Sequence, residues 1–201
     1  PQQAGPVAVV HNGIIENFRE LKAELVTDGR GFESDTDTEV VAHLVAREMA
    51  RGRGPLDAAA ATFARLEGAF ALCLLFEGAA DLIVCARRGS PIAIGYGEGE
   101  MFVGSDALAL APLTTRIAYL EDGDYAAVTR SGARVFDASG APVLRPVSNV
   151  PVEIAAVGKD GHRHFMAKEM HEQPAMAARA LAFWLTEDRA GVVSPAAAVD
   201  W

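Results

Sequence analysis

The sequence predicts a layered α+β fold, and three observations carry that prediction. Apolar residues recur three and four apart through the first third of the chain, up to Leu66, which is helical spacing. After Gly68 the pattern changes to short apolar runs separated by turn residues, the spacing of antiparallel strands. Several of these runs are apolar at successive positions rather than alternating. That predicts a sheet covered on both faces, by helices on one side and a second sheet on the other.

Taken in order, Val7 to Val10 reads as a buried strand that turns sharply at Asn12-Gly13. Ile14, Phe18, Leu21 and Leu25 follow at helical spacing, with Gly29 placed as a stop. A second helix fits Val40, Val41, Leu44, Val45 and Met49, with Asp37 or Thr38 as its cap. A third starts near Pro55 and runs through Ala59, Ala60, Phe63 and Leu66. Strands are then predicted at Ala69–Phe76, Leu82–Ala86, Ile92–Tyr96, Met101–Gly104, Ile117–Leu120, Tyr125–Thr129 and Ala133–Phe136. Tight connections such as Glu77-Gly78, Asp122-Gly123 and Ser131-Gly132 join them. From about Asn149 the pattern reads as a linker. A last helical stretch begins near Phe165, with a new helix start at Pro174 and an alanine-rich continuation to Trp184.

Composition narrows the function. The 201 residues carry a formal net charge of -9, which argues against a nucleic-acid surface, since phosphate binding needs clustered Lys and Arg. Arg87-Arg88 is an isolated basic pair, and its turn at Gly89-Ser90-Pro91 reads as structural. No apolar run has the length of a transmembrane helix, so no membrane association is expected. The two cysteines, Cys73 and Cys85, lie inside apolar runs, which argues for core thiols, against a disulfide framework and for a cytoplasmic protein.

Two short runs carry chemistry: V-V-H-N-G-I-I-E-N-F from Val9 and S-D-T-D-T-E from Ser34. Amide hydrolysis needs a nucleophile and donors aimed at the developing oxyanion. Asn12 offers a side-chain NH₂ and Gly13 an unshielded backbone N–H; the same dipeptide also serves as a plain turn. Asp37 suits the α-ammonium of an amino acid and equally suits a helix cap, and spacing does not separate it from Asp35. His11 reads as a structural hydrogen-bond partner beside the Asn12-Gly13 pair. Ser105-Asp106 reads as a helix cap. His162, His164 and His171 lack the spacing of two metal ligands on one helix face, so no zinc site is expected. Lys168-Glu169 and Glu172-Gln173 fit a domain junction or a solvated face equally well.

With R-R-G-S-P (from Arg87), V-G-S-D-A-L-A-L (from Val103), L-E-D-G-D (from Leu120) and H-F-M-A-K-E-M-H-E-Q-P (from His164), the chain resembles the glutamine–fructose-6-phosphate aminotransferase (isomerizing) family, the glucosamine-6-phosphate synthases. The resemblance runs from about Val7 to beyond Pro174. It implies an N-terminal-nucleophile, type 2 glutamine amidotransferase fold, an αββα sandwich of antiparallel sheets. It also implies that an N-terminal cysteine attacks the glutamine amide, that Asn12 and Gly13 form the oxyanion hole, and that Asp37 holds the substrate ammonium. Ammonia then passes to a sugar-isomerase domain and aminates fructose 6-phosphate. The resemblance implies no metal and no organic redox cofactor, and a parent that forms homodimers.

Against that pattern, the family's opening C-G-I-V-G and its H-T-R-W-A-T-H-G segment are not in this sequence. The expectation is therefore a fold incomplete at its N-terminus. Residues 1–150 would be the rear of the glutaminase domain, 151–164 the interdomain linker and 165–201 the start of the isomerase domain. Alone, such a chain is expected not to hydrolyse glutamine and to leave sheet edges and apolar faces open. A non-catalytic interaction module on the same fold and an amidotransferase with another acceptor are the alternatives.

Overall fold

The computed structural model describes residues 1–150 and 161–184, in two units, Pro1–Ala156 and Val157–Trp201. The first unit opens with β1 (Gln2–Ala4) and β2 (Val7–Ile15), followed by three helices, α1 (Phe18–Thr27), α2 (Asp37–Ala50) and α3 (Pro55–Phe63). Then come β3 (Gly68–Phe76), β4 (Ile83–Arg88), β5 (Ala93–Tyr96), β6 (Met101–Gly104) and the short α4 (Ala107–Leu110). The unit continues with β7 (Arg116–Tyr119), β8 (Tyr125–Thr129), β9 (Gly132–Phe136), β10 (Pro142–Val143) and β11 (Ser148–Asn149). The strands form a seven-stranded sheet in the order β1-β2-β3-β4-β8-β9-β10 and a four-stranded sheet in the order β11-β7-β5-β6. Every pairing is antiparallel.

The layers follow from strand alternation. Successive side chains of β3 point to opposite faces. Phe70, Leu72, Leu74 and Phe76 join Val7, Val9 and Ile15 of β2 beneath Leu21 and Leu25 of α1, Val41 and Leu44 of α2, and Ala59 and Phe63 of α3. Ala71 of β3, with Cys85 of β4 and Ala126 and Val128 of β8, packs with Ile94 of β5 and with Ile92 and Leu120, which flank β5 and β7 of the second sheet. The outer face of that sheet packs Ala93 and Ile117 against Ala107 and Leu110 of α4. Helices, sheet, sheet and helix make the expected αββα sandwich, and the runs that are apolar at successive positions are the ones covered on both sides.

Several local readings are corrected, among them the third helix, which ends at Phe63 and not at Leu66. The first strand does not end at Val10 and turn at Asn12-Gly13; it continues to Ile15, so Ile14 belongs to β2 and α1 starts only at Phe18. Pairing overrides the local turn signal here, because β3 offers a partner for each of the nine β2 residues, from Val7↔Phe76 to Ile15↔Gly68. Thr36, rather than Asp37 or Thr38, is the N-cap residue of α2, with extended backbone and no side-chain cap bond. Asp106 does cap α4, its carboxylate accepting from Ala109 N at 2.8 Å.

In the second unit, α5 (Phe165–Trp184) is one helix with Pro174 inside it, not a new start. Pro174 has no N–H to give the carbonyl of Met170, a local loss that interrupts one rung while the helix continues on both sides. His171 Nδ1 lies 2.7 Å from the Ala167 carbonyl, and the His162 and His171 rings are 4.9 Å apart. Most of the expected linker, 151–160, lies outside the described residues, as does the chain after 184.

Leu44 is almost fully buried at the centre of the helix-covered core. Leu44→Ala is expected to destabilise the protein by about 2–5 kcal/mol in chemical denaturation. Leu144→Ala, at an exposed position, should stay within about 0.5 kcal/mol of the parent. Equal effects would contradict the layer assignment.

Candidate active site

β2 carries the Asn12-Gly13 pair inside a paired strand rather than at its tip. Gly13 has φ +131°, and a Cβ built on it falls 2.1 Å from the Ala69 carbonyl oxygen and 2.8 Å from Phe70 Cα. No other residue fits there without moving β3. Asn12 and Gly13 are both exposed residues of β2. Beyond them the strand end is fastened: Glu16 N donates to Glu67 O at 2.9 Å, and Asn17 Nδ2 donates to Arg65 O at 2.9 Å.

The Asp37 carboxylate reaches across to this strand. Its Oδ2 accepts from Ile15 N at 2.7 Å, two residues past Gly13. The bond goes to β2 rather than to Asp37's own helix, so the side chain is not acting as a cap. Asp35, which spacing could not separate from it, is fully exposed and pairs with Lys22 Nζ at 3.8 Å. Of the two carboxylates, only Asp37 meets the Asn12-Gly13 strand. Its side chain keeps 22% exposure, so it is still accessible.

Sequence reasoning assigned His11 a structural role, took Thr38 only as a candidate helix cap and gave Glu39 no role of its own. His11 Nδ1 lies 3.0 Å from Thr38 Oγ1 and 3.7 Å from Asp37 Oδ1. Burial pulls the His11 pKa below its usual 6.5, with the Asp37 charge opposing. Glu39, almost fully buried, accepts from Glu33 N and Ser34 N at 2.8 Å each and from Ser34 Oγ at 2.5 Å. That carboxylate folds the loop leading into α2 and so sets where Asp37 stands. The S-x-x-x-x-E spacing from Ser34 to Glu39 was the available signal, and it was read only as part of the larger motif.

A cleft of about 190 Å³ opens beside β2, lined by Val10, Asn12, Cys73, Ile92, Val103 and Ser105 among others. Val10 and Ile14, on the same strand face as Asn12, are 58% and 65% exposed. Cys73 and Cys85 face each other in register across β3 and β4. Burial pushes the Cys73 thiol up to about 11 and the Cys85 thiol well above its ordinary value. Neither thiol ionises readily enough to serve as a nucleophile near neutral pH.

Gly13→Ala is expected to break the β2–β3 register, read as lost amide protection in both strands by hydrogen exchange; unchanged protection would contradict the close approach. His11 should titrate below 6.5 in an NMR pH series of its ring protons. Because the unfolded chain then takes up the proton first, stability falls as pH drops below 6.5 and levels off once the folded-state value is passed. A midpoint at or above 6.5 would contradict the burial argument.

Residues 1–112 match the family model described as a glutamine amidotransferase domain. A Caulobacter vibrioides protein named glutamine–fructose-6-phosphate aminotransferase [isomerizing] is 56% identical over 92% of this chain and 30% of its own length. Proteins of the same name from Brucella abortus and Bartonella henselae are 52% and 47% identical over 97% and 100% of the chain. These alignments cover 32% and 33% of the two relatives, so the chain spans about a third of the proteins it matches. Among solved structures, the glutamine phosphoribosylpyrophosphate amidotransferase of B. subtilis superposes with a TM-score of 0.57 at 26% identity, over 67% of this chain and 30% of that one. A second structure, of the allosteric regulatory enzyme of purine biosynthesis, gives 0.55 at 26% identity, over 65% of this chain and 28% of that one. The chain belongs to the glutamine amidotransferase domain family.

Proposed function

We propose that this chain forms part of an enzyme that hydrolyses glutamine and transfers the ammonia to fructose 6-phosphate, giving glucosamine 6-phosphate and glutamate. In this reading residues 1–150 are the rear of the glutaminase domain, 151–164 the linker and 165–201 the start of the sugar-isomerase domain. The parent is a cytoplasmic homodimer. The name shared by relatives at 47–56% identity supports the acceptor. For location, no helix among the described residues is long and apolar enough to cross a membrane.

One observation carries the assignment of roles. The 2.7 Å bond from Ile15 N to Asp37 holds an accessible carboxylate on the strand that presents Asn12 and Gly13. A group that pairs with the α-ammonium of glutamine and donors for its side-chain oxyanion thus share one strand end. A thiolate attacks the side-chain carbonyl carbon, and the electron pair moves onto oxygen, where the Asn12 amide and the Gly13 N–H stabilise it. The amide nitrogen takes up the proton that the thiol gave up, collapse expels ammonia and leaves a thioester, and water hydrolyses that thioester to glutamate and the free thiol. The thiol in this scheme is the N-terminal cysteine that the family resemblance implies; Cys73 and Cys85 do not substitute for it.

Steady-state glutamate release by the full-length polypeptide tests the scheme. Asn12→Ala should lower kcat about 10²–10³-fold, the cost of one oxyanion donor. Asp37→Ala should raise KM for glutamine about ten- to hundredfold, the worth of one charge-assisted hydrogen bond. Unchanged kinetics in both variants would place the chemistry elsewhere.

A further inference from the structure

His11 is a buried ionisable side chain beside the proposed site to which the hydrolysis scheme gives no task. Its side chain is 2% exposed, and Nε2 has no hydrogen-bond partner among the described residues. Nδ1 meets Thr38 Oγ1 at 3.0 Å, and Thr38 Oγ1 lies 3.4 Å from Asp37 Oδ1. The direct His11–Asp37 distance, 3.7 Å, is too long for a hydrogen bond.

We infer that His11 is a positioning residue for the Asp37 carboxylate, acting through the chain His11 Nδ1–H to Thr38 Oγ1–H to Asp37 Oδ1. The proton direction follows from what each end tolerates. Asp37 only accepts, so the Thr38 hydroxyl proton points to it, and the Thr38 oxygen then needs a donor. Placing the ring proton on Nδ1 supplies that donor and turns its dipole toward the carboxylate. The opposite tautomer would leave Nε2–H as a buried orphan donor, which proteins avoid more strictly than an unpaired acceptor.

The two carboxylate oxygens are thereby held from two sides. Oδ2 is fixed by the backbone of β2 at Ile15, and Oδ1 is oriented by a hydroxyl on α2 that is itself set by β2 through His11. An oxygen held in this way presents its remaining lone pair to an incoming ammonium in one direction. Ordering before binding lowers the cost of binding, so the effect belongs in KM and not in the chemical step. The inference rests on Asp37 being the ammonium site.

Glutamine hydrolysis by the full-length polypeptide, with kcat and KM resolved for His11→Ala, His11→Asn, Thr38→Val and the His11→Ala/Thr38→Val double variant, tests it. His11→Ala and Thr38→Val should each raise KM about threefold to tenfold, the range of one neutral hydrogen bond, with kcat within about twofold of the parent. His11→Asn, whose amide N–H replaces Nδ1–H, should restore KM, and the double variant should be no worse than either single one. His11→Asn as impaired as His11→Ala, or kcat falling with thermal stability at unchanged KM, would make His11 a packing residue and overturn the relay. A parent that releases no glutamate from glutamine would instead overturn the hydrolase reading, and the relay with it.

Discussion

Nine consecutive cross-strand pairs between β2 and β3 are the constraint on which the rest of the first unit depends. They join the segment before the three helices to the segment after them, so α1, α2 and α3 form a closed excursion lying on one sheet face. The pairing continues through Asn12-Gly13 only because Gly13 takes a backbone conformation that avoids the Ala69 carbonyl. Gly68, at the far end of the same ladder, meets the same limit: a Cβ there would lie 2.3 Å from the Ile14 carbonyl oxygen. Two glycines thus let two backbones run closer than side chains allow, and the first of them belongs to the candidate site.

A second constraint is electrostatic and lies along α2. Glu39, His43 and Arg47, four residues apart, are buried on one helix face, with Glu48 beside them. Buried charges destabilise unless each finds partners. Glu39 is spent on the 33–34 loop, Arg47 on Glu24 of α1 at 2.6 Å and on Asp28 just past it at 2.9 Å, and Glu48 on Arg51 at 2.8 Å and Arg53 at 3.1 Å. Hydrogen bonds from Arg65 and Arg47 hold Glu24 down to about 2 from its ordinary 4.5. Glu24 therefore favours the folded state above pH 4.5, and that contribution is lost as pH falls toward 2. A greasy helix of the same shape would pack equally well. The charged face adds direction, since Glu39 binds the 33–34 loop and Arg47 binds the Glu24–Asp28 stretch, and the seating of α2 must satisfy both.

How far the sequence is readable follows from the range of each interaction. Layer order was legible because β3 and β4 are apolar on both faces, and the α4 cap was legible because Asp106 and Ala109 are three residues apart. Asn12, Gly13 and Asp37 stood out through their motifs. The course of β2 past Gly13 was not legible, since the residues that overrule the local turn lie more than fifty positions away on β3. The same distance argument covers His11, whose partner Thr38 is 27 residues on, and the choice between Asp35 and Asp37. Both carboxylates have the right chemistry, and only the fold decides which one meets β2.

The facing pair Cys73 and Cys85 has a consequence for how the sandwich can be observed. Cys85 is fully enclosed between the sheets, whereas Cys73 borders the cleft beside β2. A thiol reagent therefore meets two gates of different height in one register pair. Modification of Cys73 needs only a breath at the cleft. Modification of Cys85 needs the sheets to part, so the chain carries its own two-stage gauge of how deeply the sandwich opens.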